Sequence, residues 1–505
     1  MKRDSISKII NLENLIKELK VNYQGKSVGL CHGVFDVLHV GHINHFQEAS
    51  KLVDILIVSV TTDIYVNKGP GRPINKISDR ISALAGIEFI DYVIESESPS
   101  AVEIIKKIKP ELYFKGKDYE HSPTYKDMAG NLNEEKLALQ ENNGHIYFTQ
   151  SELRSSSSII NSLNKLSPSQ LDVITHVKKY VSENPIQEII NKLKKQKFLV
   201  IGEIIHDEYI FTESLGKSGK HPLVAERELY RKNFLGGISP VVDTLSTFMD
   251  DKNISVISLQ NSHIPKNTSK NLSSIVVDSK YINIKKTRYI NDKTNTFMFE
   301  KYQMNDEYIS RENEKKIIKL LSSASNNCDL LVTLDFGHGL ITPLIRDYMT
   351  DNFKNLALNV QKNAGNKGFN NVGKYKSASL IVMNGEEVEL ELKQKGTSVE
   401  EAAKTIHTNM RAKIVVITDG SNGLVITNGS QIVRIPSFYT GKVIDRTGAG
   451  DALFTILSIF YLVVDDLTVL GYLGNLAGSI NLNWFANEKT VTAEDIIKSL
   501  YFGLK

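Results

Sequence analysis

The sequence predicts an α/β protein with two α/β domains joined by a helical segment. Three observations carry this prediction. Short aliphatic strands alternate with helices over residues 1–163, and a similar alternation returns over residues 196–505. In each region a glycine-containing turn directly precedes a helix, at residues 39–42 and 445–451. Alternating strands and helices favour layered sheets covered by helices, and such turns are typical of anion binding at helix N-termini.

Composition limits the class of protein. The chain has 505 residues, 41% of them hydrophobic and 24% charged, as in ordinary globular proteins. A net charge of +3 gives no reason to expect nucleic acid or a membrane surface as partner. The two cysteines, Cys31 and Cys328, fit a reducing compartment. No apolar run reaches the ~18 residues of a transmembrane helix, and we expect a cytoplasmic protein.

The first region opens as a nucleotide-binding α/β unit would. A short buried strand at 28–31 is followed by a glycine-containing loop and a helix at 43–52. The next strand, 54–60, is almost entirely aliphatic, which indicates a central parallel strand. Further strands are expected at 91–95, 112–114 and 146–148. We therefore predict a doubly wound, Rossmann-like domain over 1–163.

The second region differs in pattern. Residues 164–195 are polar and helical and are expected to form a linker. The strand pattern at 198–202 then breaks into shorter β-like pieces at 223–235 and 281–302, which predict a small β-lid over a site. Long α/β alternation resumes, with strands expected at 330–334, 356–360, 380–383 and 414–418. The second domain is predicted to span 196–505.

The turn at 39–42 is the first candidate site. His39 and His42 lie three residues apart at a helix start, and Gly41 between them allows close approach. Two imidazoles so placed can neutralise the negative charge that develops on an α-phosphate under attack. Two alternatives are ordinary surface histidines and a zinc site, although no third zinc ligand has suitable spacing.

The turn at 445–451 is the second candidate site. Thr447, Gly448, Ala449 and Gly450 would let backbone N–H groups crowd around an anion at a helix N-terminus. Asp451 in the first turn would accept the proton of a hydroxyl that receives a phosphoryl group. The alternative is an ordinary glycine-capped turn with a surface aspartate.

The first site carries a family resemblance. Residues 33–42 resemble the signature of the cytidylyltransferase-like nucleotidyltransferases, and 68–73, 115–119 and the serine run 155–158 are similar to the heptose-1-phosphate adenylyltransferase branch. The resemblance implies attack of a sugar phosphate on the α-phosphate of ATP or CTP, with release of pyrophosphate. It also implies that Mg²⁺ binds with the nucleotide and that His39 and His42 are catalytic residues. The nucleotide-binding and phosphate-binding residues that it implies are Gly33, Phe35, Lys68, Arg72, Lys115, Ser155, Ser156 and Ser157.

The second site resembles the ribokinase-like (PfkB) sugar kinases. This resemblance implies transfer of the ATP γ-phosphate to a sugar hydroxyl, with Asp451 as base and Thr447, Gly448, Ala449 and Gly450 at the phosphate. Asn384 and Glu387 match a family motif that helps to organise Mg²⁺. The substrate-binding residues that it implies are Asp207, Gly236, Gly237 and Arg288.

Several positions depart from the sugar-kinase pattern. Pro240 stands where an amide is expected, Asn359 and Gln361 stand where a charged pair is expected, and Glu203 replaces an aspartate. Proline cannot supply an N–H group. Two interpretations therefore remain open: an active kinase with an altered sugar, or a kinase-like domain that has lost catalysis.

Together the two regions resemble the bifunctional heptose-7-phosphate kinase and heptose-1-phosphate adenylyltransferase, with the domain order reversed. The implied product is a nucleotide sugar for surface polysaccharide synthesis, and a homodimer through the β-lid is expected. One alternative is a cytidylyltransferase for a polyol or sugar phosphate with a degenerate kinase-like domain. Another is a sugar-phosphate-binding regulator.

Overall fold

The computed structural model describes residues 5–66, 72–98, 100–117, 131–150, 166–261, 275–278, 280–304, 307–439, 441 and 443–504. The chain divides into two compact units. The first comprises Met1–Leu166 with Ile497–Lys505, and the second comprises Ser167–Ile496. Among the described residues, no helix combines the length and apolar character needed to span a bilayer.

The first unit alternates strands and helices. Its elements are α1 (Leu12–Asn22), β1 (Val28–Gly33), α2 (Val40–Ser50), β2 (Ile55–Thr61), α3 (Ile77–Ala85), β3 (Tyr92–Ser96), α4 (Val102–Ile108), β4 (Leu112–Gly116), α5 (Asn131–Gln140) and β5 (His145–Thr149). Within the described residues the strands form a parallel sheet of order β3-β2-β1-β4-β5. The order reverses between β1 and β4, where open α/β sheets bind their ligands.

Burial explains this sheet. All seven residues of β2 are buried, as expected for a strand covered on both faces. Side chains alternate between two apolar clusters: Leu30 and Ile57 belong to one, Cys31 and Val58 to the other. The doubly wound prediction is confirmed.

The second unit is built on a larger sheet. Its helices are α6 (Pro168–Glu183), α7 (Ile186–Leu193), α8 (Ile238–Phe248), α9 (Arg311–Ser325), α10 (Pro343–Asn352), α11 (Gly385–Leu392), α12 (Val399–Asn409), α13 (Ala449–Tyr461), α14 (Leu467–Asn481) and α15 (Ala493–Gly503), the last of which continues into the first unit's segment. The strands of the large sheet are β6 (Phe198–Gly202), β9 (Ile254–Gln260), β10 (Ile275–Val277), β13 (Leu330–Asp335), β14 (Leu356–Val360), β15 (Leu380–Asn384), β16 (Ile414–Thr418), β17 (Leu424–Thr427) and β18 (Ile432–Ile435). In the described structure their order is β10-β9-β6-β13-β14-β15-β16-β17-β18, with antiparallel pairing at β16–β17 and β17–β18.

A second sheet supplies the β-lid. It has the order β12-β11-β7-β8, with β7 at Ile204–Lys217, β8 at Val224–Gly237, β11 at Ile284–Asn291 and β12 at Thr296–Gln303. The small sheet expected from 223–235 and 281–302 is therefore present. Strand β7, which follows β6 after one residue, adds a lid strand that the sequence pattern did not separate from the core.

The segment expected to be a linker has a structural role in the second unit. Ser167 caps α6 through a capping box with Gln170. Helix α6 buries Val173, Ile174 and Val177, and it packs against α14 and β18. Helices α6 and α7 belong to the second unit, and both bury apolar residues.

Candidate functional sites

The two histidines of the first site lie together at the switch point of the first sheet. His39 is the N-cap of α2, at the end of the loop that follows the carboxyl end of β1. The ring centroids of His39 and His42 are 3.9 Å apart and the planes differ by 22°, so the rings are stacked. The two imidazoles therefore lie side by side at a helix N-terminus, a place that favours an anion.

Gly33 and Phe35 support the histidine pair. Phe35 adopts a left-handed backbone conformation with φ of 50°, and its ring meets that of His42 edge-on, with centroids 5.4 Å apart. A Cβ on Gly33 would lie 3.0 Å from the Phe35 ring. The glycine thus makes room for the aromatic ring that holds His42, which is a positioning role.

Arg72 reaches the same loop through Asp36. The buried Asp36 carboxylate accepts backbone hydrogen bonds of 2.9 Å from Ile74 and from Asn75, and the Arg72 guanidinium lies 3.7 Å away. Burial lowers the pKa of Arg72, while Asp36 opposes that shift. Lys68, Ser155, Ser156 and Ser157 lie outside the described residues.

Arg80 is a buried residue that connects two loops of the first unit. Its side chain is only 2% exposed and donates to the carbonyl oxygens of Val34 at 2.6 Å and Asn75 at 3.0 Å. It also pairs with Asp63 at 2.5 Å. One buried guanidinium therefore ties the loop after β1 to the segment that carries Arg72.

Lys115 is engaged in a buried ion pair. Its ammonium lies 2.9 Å from the carboxylate of Glu135, which also accepts the Ala101 amide. Burial acts to lower the pKa of Lys115, but Glu135 outweighs it and raises that pKa above its ordinary value. The cation that was expected to bind phosphate thus balances a buried carboxylate at the end of β4.

The turn at 445–451 in the second unit is organised by Asp445. One of its carboxylate oxygens accepts the Thr447 amide and hydroxyl, each at 3.0 Å, and the other accepts the Ala486 amide at 3.0 Å. Asn481 donates to the Thr447 carbonyl at 2.9 Å. Gly448 then takes a left-handed φ of 82°, which glycine adopts without strain.

Helix α13 begins directly after this turn. Its first N–H groups have no partner within the helix. The Ala449 amide donates to the Arg446 carbonyl at 3.3 Å. A Cβ built on Gly450 would meet no atom within 4 Å, so open space lies beside Gly450 near this helix N-terminus, where an anion is favoured.

Asp451 lies in the first turn of α13, beside this open space. The Gln361 side-chain amide donates a hydrogen bond to its Oδ1. Burial raises the pKa of Asp451 to about 6, and Asp207 adds to that shift, whereas Gln361 and the Lys286 cation oppose it. A carboxylate with a pKa nearer to neutrality is suited to general-base work.

The lid carries the residues expected to bind substrate. Arg288 donates to Asp207 at 2.6 Å and to the Tyr209 hydroxyl at 3.1 Å, and it pairs with Glu300 at 2.9 Å. A Cβ on Gly236 would lie 2.3 Å from the Asp207 carboxylate. Asp207, Gly236 and Arg288 are therefore brought together, because the carboxylate occupies the space that the glycine leaves.

Gly237 serves the junction between the lid and α8. Its φ is 65°, and a Cβ there would lie 2.1 Å from the Glu203 carbonyl oxygen. As N-cap of α8 it places Pro240 at the third helical position, where the missing N–H group breaks no intrahelical bond. The proline is compatible with the helix, but its residue supplies no amide to a ligand.

Lys286 is a site residue that sequence reasoning missed. It is paired in register with Asp207 across β11 and β7. Its ammonium lies 5.6 Å from the Tyr302 ring centroid and 6.0 Å from that of Phe336. Burial lowers its pKa, against the attraction of Asp207. Side chains alternate along a strand, so Lys286 lies on the same face of β11 as Arg288. This alternation is the sequence pattern from which its place in the site could have been predicted.

Glu203 fixes another loop of the second unit. Its buried carboxylate accepts the amides of Phe336 and His338, both at 3.1 Å. Burial raises the pKa of Glu203 to about 7, and the negative charge of the neighbouring Asp335 is the second largest contribution to this rise. This replacement of the expected aspartate therefore anchors the loop that follows β13.

Asn384 and Glu387 form a helix cap. The Asn384 side chain accepts the Glu387 amide at 2.9 Å, and the Glu387 carboxylate accepts the Asn384 amide at 2.9 Å. This reciprocal pair is a capping box at the start of α11. Within the described residues, no cluster of three or more His, Cys, Asp or Glu side chains is arranged to hold a metal ion. The role of this pair near Mg²⁺ stays a prediction.

Two protein families match the chain, one in each of its two units. Residues 30–162 match the family described as Cytidylyltransferase-like, and residues 359–482 match the pfkB family of carbohydrate kinases. The N-terminal part of the chain is 42% identical over 114 residues to the bifunctional protein HldE of Campylobacter fetus, covering 22% of this chain and 24% of that protein. The protein of the same name from Helicobacter hepaticus is 44% identical over 115 residues, again 22% and 24% of the two chains. The matched stretch thus spans about a quarter of these relatives.

One solved structure resembles a larger share of the chain. Phosphofructokinase-2 from Escherichia coli in complex with potassium superposes with a TM-score of 0.50 at 12% identity, over 61% of this chain and 99% of that chain. At that identity the likeness concerns the fold alone. The chain thus contains a segment similar to the cytidylyltransferase-like family, followed by a segment similar to the pfkB carbohydrate kinases.

Proposed function

We propose that the chain is a bifunctional enzyme. Its second unit phosphorylates a heptose-phosphate-like sugar with ATP, and its first unit transfers a nucleotidyl group from ATP or CTP to the sugar 1-phosphate. The product would be a nucleotide sugar for surface polysaccharide synthesis. In this proposal the domain order would be the reverse of that in the bifunctional heptose enzymes that the chain resembles. The observation that carries the proposal is the position of Asp451 beside the open N-terminus of α13.

The kinase step uses residues of helix α13 and of the lid sheet. An acceptor hydroxyl would give its proton to Asp451 while its oxygen bonds to the γ-phosphorus and ADP departs. The first amides of α13 would stabilise the charge on the transferred group. Asp207 would accept hydrogen bonds from sugar hydroxyls, while Lys286 and Arg288 would provide positive charge for a phosphate.

The transferase step uses the stacked histidines. His39 and His42 would bind the triphosphate and stabilise the α-phosphate as the sugar phosphate attacks it. The leaving group is pyrophosphate, formed when the bond between the α-phosphorus and its bridging oxygen breaks. Arg72, held near this loop by Asp36, would add positive charge.

Mg²⁺ is expected to accompany the nucleotide, held mainly by phosphate oxygens and water. Asn384 Oδ1 and Glu387 Oε2 accept backbone amides in the capping box at the start of α11, so the proposed role of this pair is to order the loop near the nucleotide and its Mg²⁺. A cytoplasmic homodimer that associates through the lid completes the proposal.

One alternative has specific support. Pro240 removes an amide, and the pair Asn359 and Gln361 is neutral where charge was expected. These changes would also fit a cytidylyltransferase for a polyol or sugar phosphate whose kinase-like domain is degenerate.

The two proposals are separated by one experiment. The purified protein is offered ATP or CTP with a panel of sugar and polyol phosphates, and ADP and pyrophosphate are measured separately. Acceptor-dependent ADP release together with pyrophosphate release supports the bifunctional enzyme. Pyrophosphate from CTP without any acceptor-dependent ADP supports the alternative. Phosphorus NMR of the products then identifies the acceptor and the base.

A further inference from the structure

Gln361 lies at the carboxyl end of β14 with its backbone held on both sides. Its amide donates to the Asp335 carbonyl at 3.0 Å, and its own carbonyl accepts the Asn370 side chain at 2.9 Å. The side chain therefore projects from a fixed backbone. Its amide nitrogen donates to Asn359 Oδ1 at 2.6 Å and to Asp451 Oδ1.

The neighbouring groups determine which way these amides face. The Val382 carbonyl can only accept, so the buried Asn359 must direct its nitrogen there, at 3.2 Å. The Asn359 oxygen then faces Gln361, which must present its nitrogen. The two hydrogens of that nitrogen are used on Asn359 and Asp451. A backbone carbonyl of β15 thus sets the orientation of the amide that meets the carboxylate.

We propose that Gln361 is the residue that positions Asp451 for catalysis, by holding Oδ1 so that Oδ2 is left to take the proton of the acceptor hydroxyl. This inference rests on the proposed kinase function. In the step, the hydroxyl oxygen bonds to the γ-phosphorus and the bond to the β,γ-bridging oxygen breaks. ADP leaves with that electron pair, and the proton passes to Asp451.

A neutral donor suits this task better than a cation would. Gln361 fixes the carboxylate without cancelling its charge, so Asp451 remains a base. The charged groups that act on Asp451 or feel its charge are Lys286 and Asp207 from the lid and Glu387 from α11. These charged groups set the electrostatic environment of Asp451, and the hydrogen bond from the uncharged Gln361 orients its carboxylate.

The test compares Gln361→Met, which keeps the length but removes the donor, with Gln361→Glu, which sets a carboxylate against Asp451. Asn371→Ala, in the same loop, removes an amide that is not bonded to Asp451 and serves as control. For each protein, ADP release is measured from pH 5 to 9 with the best acceptor, and pyrophosphate release reports on the first unit. The Asp451 carboxyl is also titrated by ¹³C NMR, with Asp451→Asn used to assign its signal.

We expect Gln361→Met to lower kcat for ADP release about tenfold, with KM for ATP unchanged within about twofold, as for loss of one aligned hydrogen bond. The acid limb of the pH profile and the NMR titration should both move to higher pH, and further in Gln361→Glu. Asn371→Ala should move neither. An unmoved Asp451 titration in both Gln361 variants would overturn the positioning role.

The NMR titration needs no turnover, so it keeps the two proposals apart. Wild-type protein that releases no ADP with any acceptor contradicts the kinase function. A shifted titration in that same protein would still establish the Gln361–Asp451 contact, but the catalytic part of the inference would fall with the kinase.

Discussion

Arg288 donates a hydrogen bond of 2.6 Å to the carboxylate of Asp207 across the parallel lid strands β11 and β7. The same guanidinium bonds to the Tyr209 hydroxyl and to Glu300. The lid therefore presents a carboxylate whose orientation is set by an arginine. A sugar hydroxyl that approaches Asp207 would meet an acceptor already in place, which lowers the entropy lost on binding.

Arg288→Ala should raise KM for the acceptor in ADP release by about tenfold or more, because Asp207 loses its partner and the site loses a cation. Steady-state kinetics with the best acceptor checks this result. Lys285→Ala is the matched control, since Lys285 is adjacent on β11 but pairs with Glu208. Equal KM values for the two variants would contradict a substrate-binding role of Arg288.

Both ADP release and the free energy of unfolding should depend on pH through Asp451, because burial raises its pKa to about 6. The folded-state pKa exceeds the ordinary value of 3.8, so folded protein binds this proton more tightly than unfolded protein. Ionisation therefore destabilises the fold as pH rises from about 4 to about 6, and the full penalty is present above that range. ADP release should rise with pH over the upper part of the same window, because the base must be ionised.

Asp451→Asn should abolish ADP release yet increase the free energy of unfolding at pH 8 by about 1 kcal/mol, a value reduced from the full shift because the side chain is partly exposed. The gain should shrink as pH falls to about 4. Thermal and denaturant unfolding at several pH values measure it. Asp172→Asn, on the exposed face of α6, is the control. A loss of stability at pH 8 would show that the Asp451 charge does not strain the fold.

His42→Ala should lower pyrophosphate release about 100-fold or more while ADP release is unchanged, since one of the two stacked rings at the α2 N-terminus is lost. Separate assays of the two products measure this. His145→Ala changes an exposed histidine of the same unit and should leave both products unaffected. Loss of both activities in a folded His42→Ala protein would contradict two separate sites.

Arg80→Ala should destabilise the first unit by about 3–5 kcal/mol, because the buried guanidinium is bonded to two carbonyls and to Asp63. Pyrophosphate release should be lost by unfolding, while ADP release from the second unit survives. Limited proteolysis with mass spectrometry locates the unfolded part. Lys106→Ala, in the last turn of α4, controls for removal of a cation from the same unit. A fully protease-resistant Arg80→Ala protein would contradict this role.

The sequence predicted those features that depend on local backbone. The left-handed φ of Gly448 before α13 is one such feature, because glycine adopts it without strain and the requirement lies within a short stretch of chain. The absence of a side chain at Gly236 and Gly237 instead makes room for Asp207 and Glu203, which are distant in the sequence. Spacing alone was ambiguous for Asn384 and Glu387, since a polar pair three residues apart fits both a metal motif and a capping box. The hydrogen bonds show the capping box, which the spacing alone did not reveal.

Long-range pairings were not accessible from the sequence. Lys286 reaches Asp207 only through the register of two strands about 80 residues apart, and Gln361 reaches Asp451 over 90 residues. At sequence level Gln361 looked like the loss of a charge. In the folded chain it is a hydrogen-bond donor to the predicted base, a role that depends on Asn359 and on the neighbouring strand.

The edge strand of the lid should mediate the proposed homodimer. Phe297, Met298 and Phe299 on β12 are 47%, 39% and 54% exposed, and β12 is an edge of its sheet in the described structure. Exposed apolar residues on an unpaired strand favour association with another chain. Phe299→Asp should therefore convert the dimer to a monomer at micromolar concentration, as measured by sedimentation velocity. Phe369→Asp, at a phenylalanine that is 89% exposed outside the lid, should leave the dimer intact. A wild-type monomer, or a Phe299→Asp protein that stays dimeric, would contradict dimerisation through β12.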